Sequence, residues 1–299
     1  MTDATLVPAD NRRDTGIGLL AVLLWALLAA FTALTGAVPP LLLTAMSFAI
    51  ASLIGVVWVV AMDGAAGFGI MVRQPLVAWL VGVGGLFGYH ALYFTALRLA
   101  PPVEASLIAY LWPLLIVLLS AFLPGERLRT SHVIGAAMGF SGAVLLVTGG
   151  SAVAFQSAFI PGYLAALGGA LVWSTYSVLL RVMRDVPTQA VAGYCLVTAA
   201  LSLGLHFLVE ETVWPAGSLQ WLAVLGLGIG PVGGAFYLWD WGCKRGDIRL
   251  LGTLSYSAPV LSTLVLIALG LAAFTPTVAA ACLLVTFGAV VASRAGPKV

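Results

Sequence analysis

The chain has 299 residues, 62% of them hydrophobic and 8% charged, with a formal net charge of +2. Soluble domains carry roughly 25% charged residues, and so few charges cannot cover an aqueous surface, which excludes an ordinary soluble protein and leaves lipid as the solvent. The 13 Lys and Arg are scattered between apolar runs, not gathered on a basic face, which excludes nucleic acid as a partner.

Residues 1–15 are expected to form a cytoplasmic tail. Arg12-Arg13 before an apolar run resembles a signal peptide, but the run to Gly36 is long for one and further spans follow at once. Asp14-Thr15 also break a twin-arginine pattern, so Gly16 to Gly36 is taken as a retained first helix. Charges and Pro/Gly breaks then divide the chain into spans at 16–36, 39–62, 76–98, 103–123, 131–149, 160–182, 188–209, 217–243, 250–270 and 275–293. The runs are continuous and rich in Leu, Ala and Val, unlike the alternating strands of a membrane β-barrel. With the N-terminus inside, every Lys and Arg except Arg98 falls on the cytoplasmic side, as the positive-inside rule requires. The loop 150–159 is outside and uncharged, Glu210-Glu211 are outside, and residues 294–299 form a second cytoplasmic tail. Cys195, Cys243 and Cys282 lie in or at the ends of apolar segments and are expected to be buried and structural.

Sliding the chain by 146 residues places Gly82, Gly84 and Gly88 on Gly228, Gly230 and Gly234, Tyr110 on Tyr256, Pro113 on Pro259 and Gly142-Ala143-Val144 on Gly288-Ala289-Val290. A shift of 148 places Trp25 on Trp173 and Val38-Pro39 on Val186-Pro187. Residues 16–149 and 160–293 therefore form two copies of five helices. Five is odd, so the second copy sits upside down, and inverted repeats are a transporter architecture. The fold class expected is an all-α integral membrane protein of ten transmembrane helices, a five-plus-five inverted repeat with both termini cytoplasmic.

Three stretches carry a resemblance: Ala91-Leu92-Tyr93-Phe94-Thr95-Ala96-Leu97, Tyr110-Leu111-Trp112-Pro113, and the turn Pro124-Gly125-Glu126-Arg127-Leu128. Over about residues 14 to 294 the chain resembles EamA-type carriers of the drug/metabolite transporter superfamily. Val103-Glu104 before the Tyr-Leu-Trp-Pro run, with Leu254-Ser255-Tyr256-Ser257-Ala258-Pro259-Val260-Leu261-Ser262, resembles the YddG-type aromatic amino acid exporters. That resemblance implies a multi-pass exporter of the cell inner membrane, with a central cavity and aromatic amino acids as substrates. The first helix lacks an acidic residue, a departure from small multidrug carriers that argues against proton-coupled cation extrusion.

Tyr89, His90 and Tyr93 share one helix face, and His90 lies at hydrocarbon depth, where a polar group faces other helices or water. It is read as a cavity-lining group, with a histidine bonded to a backbone carbonyl as the alternative. The equivalent stripe holds Trp239 and Asp240; Asp240 is either an amine-binding group or the partner of Lys244 at i+4. Glu104 is expected in an interfacial ion pair near Arg98. Tyr110 and Trp112 flank Pro113, and Tyr256 precedes Pro259, so both prolines are read as hinges or packing kinks. Trp173 offers a stacking surface, while Trp79, Trp214 and Trp221 fit an interfacial belt. The spacings Gly84-xxx-Gly88, Gly135-xxx-Gly139 and Gly230-xxx-Gly234 are expected to allow close helix contact.

Gly139-Phe140-Ser141-Gly142 resembles an intramembrane protease nucleophile, but His206 lies at a different depth from Ser141. The sequence contains no His-Glu-x-x-His, paired intramembrane aspartates or Walker motif. No enzyme, cofactor or metal is expected, and no obligatory protein partner is evident. The reading is a secondary transporter that exports aromatic and other apolar amino acids through a central aromatic cavity. Efflux of drugs or toxic amphipathic metabolites, with or without proton coupling, is the alternative.

Overall fold

The computed structural model describes residues 11–124, 128–270 and 272–294, all helix, turn or loop without a strand. Ten helices long and apolar enough to cross a membrane occur among them: α1 (Arg12–Leu34), α2 (Pro40–Asp63), α3 (Leu76–Leu99), α4 (Pro102–Phe122), α5 (Thr130–Thr148), α6 (Ser157–Val182), α7 (Ala190–Val209), α8 (Ser218–Arg245), α9 (Ile248–Ala268) and α10 (Pro276–Ser293). Each expected span is present. Residues 1–10 and 295–299 of the expected tails, and Gly125, Glu126 and Arg127 of the expected turn, lie outside the described residues.

α1 is already helical ahead of the expected Gly16, from Asn11 onward among the described residues, and this turn is docked on α8 and the α8–α9 connection. Asp14 accepts a hydrogen bond from Trp241 Nε1 at 2.8 Å, and Thr15 Oγ1 accepts one from the Asp247 amide at 2.8 Å.

The main packing partners are α1 with α8, α3 with α6, α2 with α7, and α5 with α10; α4 lies against α6 and α9. Between helices in lipid the association comes from close packing and interhelical hydrogen bonds rather than hydrophobic burial. α5 and α10 meet backbone to backbone: a Cβ on Gly135 would stand 2.5 Å from the Gly288 carbonyl oxygen. On α3 the expected Gly84 faces open space, and the close contacts fall instead on Gly82 and Gly85, which receive the rings of Tyr194 and Tyr176.

Four helices are interrupted where the sequence alone suggests continuity or a simple kink. α1 breaks at Ala26-Leu27, α4 at Tyr110-Leu111 and α9 at Ser255-Tyr256, while Gly230–Gly234 of α8 forms a π-turn. The cause in α8 is Pro231, which has no amide hydrogen to continue the ladder. In α4 and α9 the breaks lie just before Pro113 and Pro259.

At one end of the bundle Glu210 ties three helices together. It accepts from the Leu41 amide at the start of α2 at 3.1 Å, from His206 Nδ1 at 2.9 Å and from Arg98 of α3 at 3.4 Å. Arg98 therefore pairs with Glu210, not with Glu104, because the connection after α7 brings Glu210 over the end of α3.

Candidate functional site

A cavity of about 220 Å³ lies in the middle of the bundle. Its wall is aromatic: Trp25 from α1, Tyr89, His90 and Tyr93 from α3, Tyr110 and Trp112 from α4, Trp173 from α6 and Phe236 from α8. Leu28, Ala29, Ser106, Ala109, Pro231, Val232, Ser255, Ala258, Pro259 and Ser262 complete it. No Asp, Glu, Lys or Arg lies among these lining residues. On α1, α3 and α4 they lie between mid-span and the end that carries Arg98 and Glu210, whereas on α6, α8 and α9 they lie around mid-span, so the cavity is displaced toward that end.

All four helix interruptions reach this wall, through Trp25 and Leu28, Tyr110 and Trp112, Pro231 and Val232, and Ser255. A break in mid-membrane leaves backbone amides and carbonyls unpaired at depth, which is tolerated where they face a cavity. Here the amides of Ala26, Leu27, Tyr110, Leu111, Ser255 and Tyr256 keep bonds to carbonyls three or four residues back, and in α4 the Tyr110 carbonyl and the Leu114 amide are taken up by the Tyr256 hydroxyl.

The rings brace one another. Tyr89 and Tyr93 stack with centroids 5.9 Å apart, and Tyr89 leans on Trp173 at 5.4 Å. Tyr93 reaches Ser106 of α4 across 3.4 Å. His90 donates from Nδ1 to the Leu86 carbonyl at 2.7 Å and packs edge-on against Phe48 at 5.2 Å. Both readings of this histidine apply at once: one nitrogen is bonded to the backbone, and the ring lines the cavity.

Beneath the cavity, toward the opposite end, Trp25, Trp112 and Trp173 meet Trp239, with centroids 5.0, 6.0 and 6.4 Å from it. Trp239 is fully buried and donates from Nε1 to Ser177 Oγ at 3.0 Å. A polar layer follows. Asp240 Oδ1 is 2.7 Å from Lys244 Nζ, and Asp240 Oδ2 accepts from Lys244 at 2.8 Å and from Thr188 at 2.6 Å. Lys244 also donates to the Val186 carbonyl at 2.8 Å, and Arg181 donates to the Lys244 carbonyl at 2.9 Å.

Of the sequence-derived site residues, Tyr89, His90, Tyr93, Tyr110, Trp112, Trp173 and Pro259 thus line one cavity. Trp239, Asp240, Tyr256 and Pro113 do not: all four are buried outside its wall, and Asp240 is engaged in the ion pair with Lys244. Tyr256 is held by α4: its hydroxyl donates to the Tyr110 carbonyl and accepts from the Leu114 amide, both at 3.1 Å. Trp25 and Phe236 were open to discovery as the repeat partners of Trp173 and His90. Ser106, Ser255 and Ser262 carry no comparable signal, since hydroxyls in apolar helices commonly bond their own backbone.

The model of the EamA-like transporter family matches residues 16–148 and again 160–294. The chain is 58% identical over 283 residues to the aromatic amino acid exporter YddG of Ancylobacter novellus, covering 93% of this chain and 96% of that protein. It is 26% identical over 168 residues to the aromatic amino acid exporter YddG of Salmonella typhimurium, covering 54% of this chain and 56% of that one. A solved crystal structure 55% identical in sequence superposes with a TM-score of 0.91, covering 97% of this chain and all of the other.

Proposed function

The chain belongs to the EamA-like transporter family, and from that premise we propose that it exports aromatic and other apolar amino acids through the central cavity by alternating access. The observation that carries this is the coincidence of four helix interruptions with one aromatic-walled, charge-free cavity. Discontinuous helices at the midplane are how transporters present polar backbone groups to a substrate. Trp112, Trp173, Tyr89 and Tyr93 stack the substrate's apolar side chain. His90 and Ser106 receive its amino and carboxylate groups. A volume of about 220 Å³ lies below the roughly 300–1,000 Å³ of pockets for drug-sized ligands, which favours an amino acid over a bulkier drug.

Two five-helix halves of opposite orientation rock around this site. Supporting this, Pro102–Phe122 and Ile248–Ala268 lie 146 residues apart at both ends, as the sequence shift requires. Exchanging the halves also turns the α1–α8 contact into the α6–α3 contact and returns α2–α7, α4–α9 and α5–α10 to themselves. With both termini cytoplasmic, the Arg98 and Glu210 end is outer and the Lys244 end inner, so the cavity faces outward from the inner membrane.

Reconstitution into liposomes with labelled phenylalanine, tryptophan, threonine and methionine tests the proposal. Saturable flux competed by aromatic amino acids and absent from empty liposomes is expected. Flux of a lipophilic cation without amino acid flux would instead establish the drug-efflux alternative.

A further inference from the structure

Resting on the inverted-repeat and alternating-access reading above, we propose that the cytoplasm-facing form of the substrate site is lined by Tyr176, Ser177, Trp239 and Tyr256, and that Tyr256 enters it by trading places with Tyr110. Leu28, Ala29, Tyr93 and Tyr110 line the outward cavity. The repeat shifts place them on Tyr176, Ser177, Trp239 and Tyr256. A half that turns upside down carries an outward-lining position to the inward side of its twin, except where both members meet at the middle of the bundle, as Trp25 with Trp173 and His90 with Phe236 do. In this outward-facing structure those four should then be sealed, and they are 2%, 0%, 0% and 0% exposed.

A second observation is independent of the repeat. The Tyr176 hydroxyl is buried without a hydrogen-bond partner among the described residues. A polar group left unpaired at membrane depth is unfavourable in this state. Lining a site for a zwitterion in the other state gives it the partner it lacks here, with Ser177 Oγ, now occupied by the Trp239 indole, beside it.

The tyrosine exchange follows from the break in α4. In an unbroken helix the Leu114 amide would bond the Tyr110 carbonyl directly. Here the Tyr256 hydroxyl is inserted between them, 3.1 Å from each. α9 repeats the arrangement, with Tyr256 and Val260 standing where α4 has Tyr110 and Leu114, and Pro259 where it has Pro113. The equivalent phenol for that turn is Tyr110, which in this state lines the cavity instead. In the inward-facing state the Tyr110 hydroxyl bridges the Tyr256 carbonyl and the Val260 amide. Tyr256, released from α4, then faces the substrate. Each hydroxyl thereby stabilises one of the two states.

The test places single cysteines at Ala29→Cys or Ser177→Cys in a background carrying Cys195→Ala, Cys243→Ala and Cys282→Ala. A membrane-impermeant maleimide is applied to right-side-out and inside-out vesicles. Ala29→Cys should label from outside and Ser177→Cys from the cytoplasmic side. Tyr256→Phe should raise labelling at Ser177→Cys and lower it at Ala29→Cys by about fivefold, the shift expected from one hydrogen bond. Tyr110→Phe should do the reverse. Shifts in the same direction, or none, would overturn the exchange. A Ser177→Cys protein that carries phenylalanine yet never labels from the cytoplasmic side would overturn the inward lining. Should Tyr256→Phe not fold, Tyr110→Phe decides alone, since unchanged Ser177→Cys labelling then refutes the exchange. Reciprocal labelling without any amino acid flux would leave the exchange standing and remove the exporter reading.

Discussion

One nitrogen of His90, a residue of the cavity wall, is already committed to the backbone. Its Nδ1 carries the proton donated to the Leu86 carbonyl, an assignment made from the hydrogen bond, so Nε2 is left as an acceptor. An acceptor in an otherwise aromatic wall suits the ammonium of an amino acid or an indole N–H. The apolar part of the substrate relies on ring stacking, so Trp112→Ala and Tyr93→Ala should each raise the half-saturating substrate concentration at least about tenfold. Trp221→Ala should leave it unchanged, because Trp221 is exposed and stacks on Trp214. Initial-rate flux at equal reconstituted amounts decides; equal effects from all three would remove the rings of the cavity from the binding site. The stripe Tyr89, His90 and Tyr93 was legible because i and i+4 share a helix face. Trp239 and Tyr256 were legible as the repeat partners of Tyr93 and Tyr110 but not by side, since the spacing says nothing of which way a half faces. Both members of the pairs Trp25 with Trp173 and His90 with Phe236 line the cavity, whereas Tyr93 and Tyr110 line it without Trp239 and Tyr256.

At the scale of the element, α8 is the helix most altered from a plain span. Pro231 forbids a ladder bond, yet the sequence does not say whether the helix kinks, breaks or bulges, and Gly230 and Gly234 were expected only to allow close helix contact. Lower in α8, Asp240 and Lys244 form an ion pair one turn apart, sealed by Thr188 and the Val186 carbonyl. The i,i+4 spacing made this pair legible, whereas its partners from the α6–α7 connection come from tertiary packing. Separating two charges at this depth is expensive, because whichever remains is buried without its counter-ion. Lys244→Met alone should therefore lower stability by about 3–5 kcal/mol, read as a fall in the unfolding temperature of the purified protein. The double variant Asp240→Asn with Lys244→Met should recover most of that loss and retain phenylalanine flux. A stable double variant without flux would make Asp240 a substrate-binding group after all.

Across the whole molecule, the ten spans were legible because each must supply about 20 apolar residues to cross the hydrocarbon, and lipid allows few other solutions. The interruptions were legible only in part: α4 and α9 carry Pro113 and Pro259, but the break at Ala26-Leu27 has no proline or glycine to announce it. The same whole-molecule view bears on energetics. Coupling export to protons requires a group that changes its protonation as the site turns from one side to the other. Asp240 is committed to Lys244 and lies outside the cavity wall, and His90 keeps its Nδ1 proton on the Leu86 carbonyl. Neither offers a carboxylate that substrate and proton would compete for. Phenylalanine flux down its own gradient should therefore proceed at a similar rate with or without an imposed pH difference across the liposome. Imposing a gradient should not drive accumulation against the amino acid gradient. Flux that vanishes when the pH difference is collapsed would overturn facilitated export and make His90 the first group to examine for a coupled proton.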